Sequence, residues 1–559
     1  MNVNFVRIHE ALVCKGFELI KSYPLPKYFG SLIVDGVGYS SIISFSDVGF
    51  TKLPNIRVIE RPPGIPANCA HLTSNGYLCY IGPNQAHLPR DNLVGGILGC
   101  IEIAEKLLSR LAAGDALKDT QDEFHASWLG DSLLIDIDSD DFGSILDSQM
   151  IRVMSESEKS GVFLLGREKE KLLQRYKYWS PRLVDLPFIV RVVEAHLPLG
   201  AREHDWPLED LFMLLNWLSS DIKAINGVYA GIKDIYSAKC QNLILIIQAP
   251  NASCAAWLTF PALWSDTPSV KSPIKFLHTV LRKKSKSISM LRLQPIRIDP
   301  KSWLERNLQD DQRGLSGKKI IMVGCGAIGG YLADLLAKSG AGFLGGHLVL
   351  IDDDYLSSGN LGRHVLGFRD IYKSKAMTLA EELRNRYPSI NVLGLCDNIL
   401  DLKIMHGGDL IVNATGDQAL SYHMSEQWLE GRIPRILFTW ITGTGCGAQA
   451  YFLEKKGQAC LSCLDYSTPG GQYSIMSSEY QHNFKHAPSC GDWLVPYSAS
   501  AAVHAAGLAN DLALAWVRGE ITSSPTFRSI TLNHKTGKLV PPVSPSRRSD
   551  CSICSHYHL

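Results

Sequence analysis

The residues best equipped for covalent chemistry in this 559-residue chain are its 14 cysteines. Four fall in two Cys-x-x-Cys pairs, Cys460-Leu461-Ser462-Cys463 and Cys551-Ser552-Ile553-Cys554. Each pair can place two thiolates on one metal ion, and two pairs complete a closed, tetrahedral zinc site of the structural kind. A redox dithiol is the competing reading; two pairs in one chain favour zinc. Cys490, in Pro488-Ser489-Cys490-Gly491-Asp492, precedes a helical stretch from Ser498 to Val517. A thiolate there can attack an acyl group, and a nearby helix N-terminus lowers a thiol pKa. The other reading of Cys490 is a packing thiol, the commonest fate of a free cysteine. Cys446, between Gly445 and Gly447, is a second candidate nucleophile. Cys79 ends the segment His71-Leu72-Thr73-Ser74-Asn75-Gly76-Tyr77-Leu78-Cys79, either a reactive thiol beside a histidine or an ordinary loop. Cys69 is close to it without a motif. Cys14, Cys100, Cys240, Cys254, Cys325 and Cys396 fall in apolar or glycine-rich stretches and are read as packing residues.

A second group of residues suits phosphate chemistry. Gly324-Cys325-Gly326-Ala327-Ile328-Gly329 comes after an apolar stretch and opens a helical one. Glycines at those positions allow a tight turn and let backbone N–H groups approach a phosphate at the helix N-terminus. Asp352 closes the next apolar stretch, where an acid holds ribose hydroxyls. NAD is the obvious ligand of such a pattern, but the residues beyond Asp352 suit a triphosphate better. Asp353 and Asp354 are succeeded by Asn360-Leu361-Gly362-Arg363 and then Lys375, an Asn, an Arg and a Lys able to neutralise phosphates. Asn413-Ala414-Thr415-Gly416-Asp417 places another acid after a further strand, suited to Mg²⁺.

The elements that must position these residues are readable in outline. From about residue 314 the chain alternates strand and helix. Strands are expected at Lys319 to Val323, His347 to Ile351 and Asp409 to Ala414. Helices are expected at Tyr331 to Lys338 and Lys375 to Tyr387. That alternation predicts a mostly parallel, doubly wound α/β sheet. Residues 1–150 read as a compact α+β unit, with a helix from Phe5 to Ile20 and strands at Ser31 to Val34, Ser40 to Phe45 and Ile56 to Glu60. A second helix is expected from Leu93 to Leu111. Residues 151–300 mix helix (Leu208 to Leu218) and strand (Asn242 to Gln248) and carry no chemical motif. Three domains result: 1–150, 151–300 and 301–559.

Composition narrows the function classes. Charged residues make up 20% of the chain, with 56 Lys and Arg against 55 Asp and Glu, a net charge of +1. That lacks the broad positive field of a nucleic-acid or anionic-membrane binder. No export signal or membrane-length apolar run is read, so the expected compartment is the cytoplasm.

The order Gly-x-Gly-x-x-Gly, Asp-x-Asp, Asn-Leu-x-Arg, Lys, Asp makes residues 301–559 resemble the ThiF/MoeB/ubiquitin-activating superfamily of adenylating enzymes. The resemblance implies a Rossmann-like adenylation domain using ATP, Mg²⁺ and a structural Zn²⁺. In it Gly324, Gly326, Gly329, Asp352 and Asp354 lie at the nucleotide. Asn360, Arg363 and Lys375 bind and polarise phosphates, and Asp417 binds Mg²⁺. It also implies a homodimer, an arginine supplied by the partner subunit (Arg306 is the candidate), and a catalytic cysteine on a crossover loop at Cys490. The segment around Cys79 resembles the active site of ubiquitin-conjugating enzymes, although Leu72 and Thr73 replace the usual Pro-Asn. Together the domains resemble the activating–conjugating fusion enzymes of bacterial CBASS antiphage operons. That family implies activation of a protein C-terminal tail, that of a cGAS-like nucleotidyltransferase (CD-NTase), and its conjugation to a target amine through Cys490 and Cys79. Three rival readings remain: a sulfur-carrier adenylyltransferase without conjugation, an NAD-dependent oxidoreductase, and a non-catalytic zinc-stabilised scaffold.

Overall fold

The computed structural model describes all residues except 1–2, 64, 66–69, 74, 83–84, 116–120, 138–140, 155–160, 178–179, 201–206, 261–284, 310–311, 388, 402–406, 456, 482–484, 487–492 and 558–559. The chain divides into two compact units, Met1–Ile298 and Asp299–Leu559.

The first unit begins with a helix, Val3–Cys14, and a four-stranded antiparallel meander, Glu18–Lys21, Lys27–Val34, Val37–Ser44 and Asn55–Val58. The strand Lys27–Val34 alternates strictly between exposed and buried positions, so Tyr28, Leu32 and Val34 face a core. The helix Leu93–Arg110 covers that core with Leu93, Ile97, Ile101, Ala104 and Leu108. The expected helix over Phe5 to Ile20 is therefore two elements. Gly16 adopts φ +92°, a conformation that L side chains avoid, and the chain turns there into the strand Glu18–Lys21.

The same unit holds a nine-stranded mixed sheet. Its interior strand Asn242–Gln248 is almost wholly buried, as its unbroken apolar run predicts. This sheet also takes in Asp131–Asp136, Ile145–Leu146 and Gln149–Met154. The division expected at residue 150 thus falls inside a sheet rather than between domains. Leu133, Ile135 and Met150 share one core cluster with Val190, Ile244 and Ile246, and that burial draws the stretch into the sheet.

The second unit is built on a seven-stranded sheet. Its strands run in the order Val392–Leu395, His347–Ile351, Lys319–Val323, Leu410–Asn413, Ile436–Thr442, Gly447–Leu453 and Phe527–Thr531. The first five are mutually parallel; Gly447–Leu453 runs antiparallel to them, and Phe527–Thr531 runs antiparallel to Gly447–Leu453. Register aligns Val323 with Ile351 on one side and Asn413 on the other, so three strands end level. After Lys319–Val323 the chain builds outward on one side, then crosses to the other. This reversal opens a crevice at the carboxyl ends, where α/β sheets bind ligands. The alanine-rich helix Ala499–Val517 lies close on the sheet: Thr439 Oγ1 donates to Ala505 O at 2.9 Å.

Candidate functional site

The crevice at the strand reversal is a cavity of about 680 Å³, within the roughly 300–1,000 Å³ of small-molecule sites. Gly324, Gly326, Asp352, Asp354, Lys375 and Asp417 all line it. The glycines do different work. Gly324 has φ +91°, and a Cβ there would lie 2.7 Å from Thr415 N. A Cβ on Gly329 would lie 1.9 Å from Gly324 O, so that glycine lets the helix press on the loop rather than reaching the cavity. A Cβ on Gly326 would meet nothing within 4 Å. Gly326 is also the N-cap of the helix Ala327–Lys338 and supplies no side-chain cap. The open helix N-terminus therefore presents unspent N–H groups to the crevice, the arrangement that holds phosphates.

Asp352 is fixed by two backbone donors: Cys325 N–H to Oδ2 at 2.6 Å and Asp354 N–H to Oδ1 at 2.9 Å. Burial pushes its pKa above the usual carboxylate value, against the pull of those two N–H groups. Lys375 begins the helix Lys375–Arg386 and is buried; its Nζ meets Asp354 Oδ2 at 2.7 Å. Asp417 caps the helix Gln418–Leu429, taking Leu420 N–H on Oδ1 at 2.8 Å. Asn360 and Arg363 are not among the residues that line the cavity. Asn360 Oδ1 accepts from Ser357 N–H and Oγ at 3.0 Å, closing a local turn. Arg363 stacks on Tyr497, with Cζ 4.9 Å from the ring centroid. Arg306 is an exposed C-cap of the helix Pro300–Glu305.

The sequence reading missed Asp397, Asn398 and His423, which also line the cavity. Asn398 Nδ2 donates to Asp353 Oδ2 at 3.1 Å, joining two carboxyl-end loops. With Asp353 and Asp397 the wall carries five carboxylates against one lysine, an excess that suits a divalent cation accompanying a polyanion.

Cys460, Cys463, Cys551 and Cys554 come together as one buried group, all four sulfurs within 4.8 Å of one another. Cys460 Sγ lies 3.8 Å from Cys463 Sγ and 3.6 Å from Cys551 Sγ, and Cys463 Sγ lies 3.6 Å from Cys554 Sγ. Zinc bound at about 2.3 Å to four sulfurs requires them about 3.8 Å apart, so the donor set and spacing fit zinc. The pairs are 91 residues apart, and closing them ties the C-terminal segment to the sheet domain.

Cys79 is exposed, at the end of a short hairpin. Its N–H donates to His71 O at 2.8 Å, Leu72 bridges Leu78, and Thr73 N–H donates to Tyr77 O at 2.9 Å. Leu78 N–H donates to Ile56 O at 2.9 Å, so the hairpin is pinned to the meander. His71 Nδ1 faces Glu123 Oε1 at 3.5 Å. Cys490 lies outside the described residues, as does Cys69. Cys446 is buried, its Sγ 3.3 Å from Thr536 Oγ1, an unsuitable place for an acyl acceptor. Cys100, Cys240, Cys254 and Cys325 are buried, as packing residues should be. Cys14 departs from that expectation: it ends its helix on the exposed side. Cys396 departs too, standing half-exposed beside Asp353.

Residues 303–553 match the model of the ThiF family. The chain is 28% identical over 91% of its length to the ATP-dependent ubiquitin transferase-like protein Cap2 of Pseudomonas aeruginosa, covering 90% of that protein. It is 26% identical over 91% of its length to the Escherichia coli protein of the same name, again covering 90%. Among solved structures, E. coli MccB superposes at a TM-score of 0.34 with 19% identity, over 52% of this chain and 73% of that one. Among the described residues no helix is long and apolar enough to cross a membrane.

Proposed function

Residues 303–553 match the model of the ThiF family, and from that match we propose that the chain is an ATP-dependent activating and conjugating enzyme acting on a protein C-terminal carboxylate. The observation that carries this reading is the crevice, where an uncapped helix N-terminus, a buried lysine and five carboxylates surround one cavity. A redox dinucleotide does not call for that combination; a triphosphate with Mg²⁺ does.

In the first step a carboxylate oxygen of the tail attacks the α-phosphorus of ATP. The bond to the bridging oxygen breaks, pyrophosphate leaves, and an acyl-adenylate remains. Lys375 and the N–H groups at the start of the helix Ala327–Lys338 balance the charge that develops on the phosphates, and Asp352 holds the ribose. Asp417 would hold Mg²⁺, which would supply further charge neutralisation. Catalysis here is positioning and electrostatics. In the second step the Cys490 thiolate attacks the acyl carbon and AMP leaves. In the third, Cys79 takes the acyl group by thioester exchange, releasing Cys490 as a thiol. An amine of the target then attacks, forms the amide, and frees Cys79. The exposure of Cys79 suits a thiol that must meet two partners in turn. Cys460, Cys463, Cys551 and Cys554 would hold a structural zinc. The name shared by the two Cap2 relatives supports an ATP-dependent transferase. A CD-NTase tail as substrate, a homodimeric assembly, a cytoplasmic setting and a role in antiviral defence complete the proposal.

The test is to incubate the protein with ATP, Mg²⁺ and lysate of its native host, and to look for thiol-sensitive adducts. Cys490→Ala should abolish every adduct. Cys79→Ala should leave a thioester that never becomes an amide. Absence of any ATP-dependent adduct in the unsubstituted protein would overturn the reading.

A further inference from the structure

Two cations belong to the nucleotide motif, and the structure treats them differently. Lys375 is buried against Asp354. Arg363 has no carboxylate partner among the described residues; its guanidinium lies over the Tyr497 ring, Cζ 4.9 Å from the centroid. A guanidinium drawn to a ring by its charge makes no hydrogen bond to it, so its five N–H donors are not spent on that contact.

Both partners of the stack are held by their surroundings. Next to Arg363, His364 Nε2 meets Cys325 O at 2.7 Å, within the glycine-rich loop. A Cβ on Gly330, in the first turn of the helix Ala327–Lys338, would come within 2.7 Å of Val365 Cγ1. The segment carrying Arg363 is thus packed against the open end of that helix. Tyr497 is pressed against the turn after the strand Ile436–Thr442: a Cβ on Gly445, at φ +79°, would lie 3.3 Å from Tyr497 Cβ.

We propose that Tyr497 is a positioning residue for the nucleotide: its ring holds the Arg363 guanidinium beside the glycine-rich loop, outside the lining of the cavity, ready to turn its donors to an incoming triphosphate. The inference rests on the reading of the crevice as an ATP site and adds to it a residue outside the motif. An arginine side chain otherwise samples many rotamers, and ordering it on binding costs affinity. A fixed aromatic face removes part of that cost beforehand. Tyr497 also stands seven positions after Cys490, so the segment bearing the proposed nucleophile runs directly into the platform for a phosphate-binding arginine.

The test measures binding of ATP with Mg²⁺, and of adenosine, to the full chain by calorimetry. Thermal midpoint and zinc content of each variant report the fold. Tyr497→Phe keeps the ring and should bind ATP within about twofold of the unsubstituted protein. Tyr497→Leu should weaken ATP by roughly 2- to 30-fold, the range of a cation–π contact, and leave adenosine unchanged. In an Arg363→Ala background, Tyr497→Leu should cause no further loss, because the residue acts only through Arg363. Equal losses for ATP and adenosine, or an undiminished loss in the Arg363→Ala background, would overturn the proposal. Failure of the unsubstituted protein to bind ATP would sink the ATP reading and this inference together. Normal ATP binding by Tyr497→Leu would sink this inference alone.

Discussion

Cys460, Cys463, Cys551 and Cys554 keep 4% or less of their surface exposed and draw four sulfurs within 4.8 Å, whereas Cys79 stands exposed at the end of a hairpin. The contrast lies in what holds each site together. The four buried thiols come from segments 91 residues apart, brought together by apolar packing and by the Phe527–Val543 backbone pairing, and a shared metal would lock that convergence. Four sulfurs in a dry pocket either stay protonated, making weak hydrogen bonds, or ionise around a metal that gathers their charge. The Cys79 hairpin is closed by its own backbone, through His71 O, Thr73 O and the bridge between Leu72 and Leu78. Its sulfur takes no part in that scaffold. One site spends its thiols on structure, and the other leaves its thiol unspent.

The strongest way to break this comparison is to remove one thiol from each site. Cys463→Ala should lose zinc and unfold the C-terminal segment. Zinc binding contributes on the order of 10 kcal/mol in small metallo-domains, and the group would then offer three thiolates in place of four. A strong chelator should do the same to the unsubstituted protein. Cys79→Ala should leave the thermal midpoint unchanged, within about 0.5 kcal/mol, while abolishing transfer. Metal content and thermal unfolding decide both. A stable, metal-free Cys463→Ala protein would end the structural reading of the four thiols.

The next test moves into the nucleotide loop, where two glycines three positions apart repeat the division between structure and open site. In Gly329→Ala the new methyl would meet Gly324 O, a backbone atom that cannot step aside. The cost should be about 1–3 kcal/mol, visible as a lowered thermal midpoint. Gly326 has φ −74° and open space where a methyl would go. Gly326→Ala should therefore stay within about 0.5 kcal/mol in stability. It should still weaken ATP binding about tenfold or more if the proposed site is right, because Gly326 lines the cavity at the N-terminus of the helix Ala327–Lys338. Equal ATP affinity in Gly326→Ala would place the phosphates elsewhere.

Much of the second unit was legible because its elements announce themselves locally. Lys319–Val323 and His347–Ile351 match the expected strands residue for residue, and the glycine pattern lies where the strand reversal opens a crevice. The helix after it begins at Ala327, earlier than Tyr331, because the glycines that make the turn also mask its first turn. Val392–Leu395 escaped notice. It has four residues, one of them Gly394, too few to show a period. Asp397 and Asn398, just beyond it, were missed for that reason. In the first unit the failure is of another kind. Ser289–Arg297 pairs with Asp131–Asp136 across more than 150 residues of chain, and no local pattern states which strands are neighbours. Burial of Leu133 and Ile135 against Leu293 decides it, and that is a property of the folded sheet. The partner of Arg363 was equally invisible, since Tyr497 lies far along the chain.

A milder perturbation tests whether the Cys79 hairpin is as independent of its sulfur as the comparison requires. Gly76 sits at φ +81°, and a Cβ there would lie 2.1 Å from Val58 O. Gly76→Ala should strain the hairpin by about 1–3 kcal/mol. It should slow transfer through Cys79 while zinc content and ATP binding remain intact. Loss of zinc in this variant would mean that the two sites are not separately held.

The smallest expected effect comes from Arg57. Its Nε donates to Asn75 O at 2.8 Å, and its guanidinium lies 5.8 Å from the Tyr77 ring centroid. Both contacts clamp the outer side of the hairpin, and neither touches Cys79. An exposed hydrogen bond and an exposed cation–π contact are each worth about 0.5–1 kcal/mol, and the two are not additive when one side chain makes both. Arg57→Ala should therefore cost about 1 kcal/mol locally, too little to move the thermal midpoint of the whole chain by much. It should show instead as faster hydrogen exchange at the Tyr77 and Leu78 amides, which are bonded to Thr73 Oγ1 and Ile56 O. If the backbone ladder alone holds the hairpin, the Cys79 amide, bonded to His71 O on the far side, should keep its protection. Collapse of protection at all three amides would show that the hairpin hangs on one arginine rather than on its own ladder.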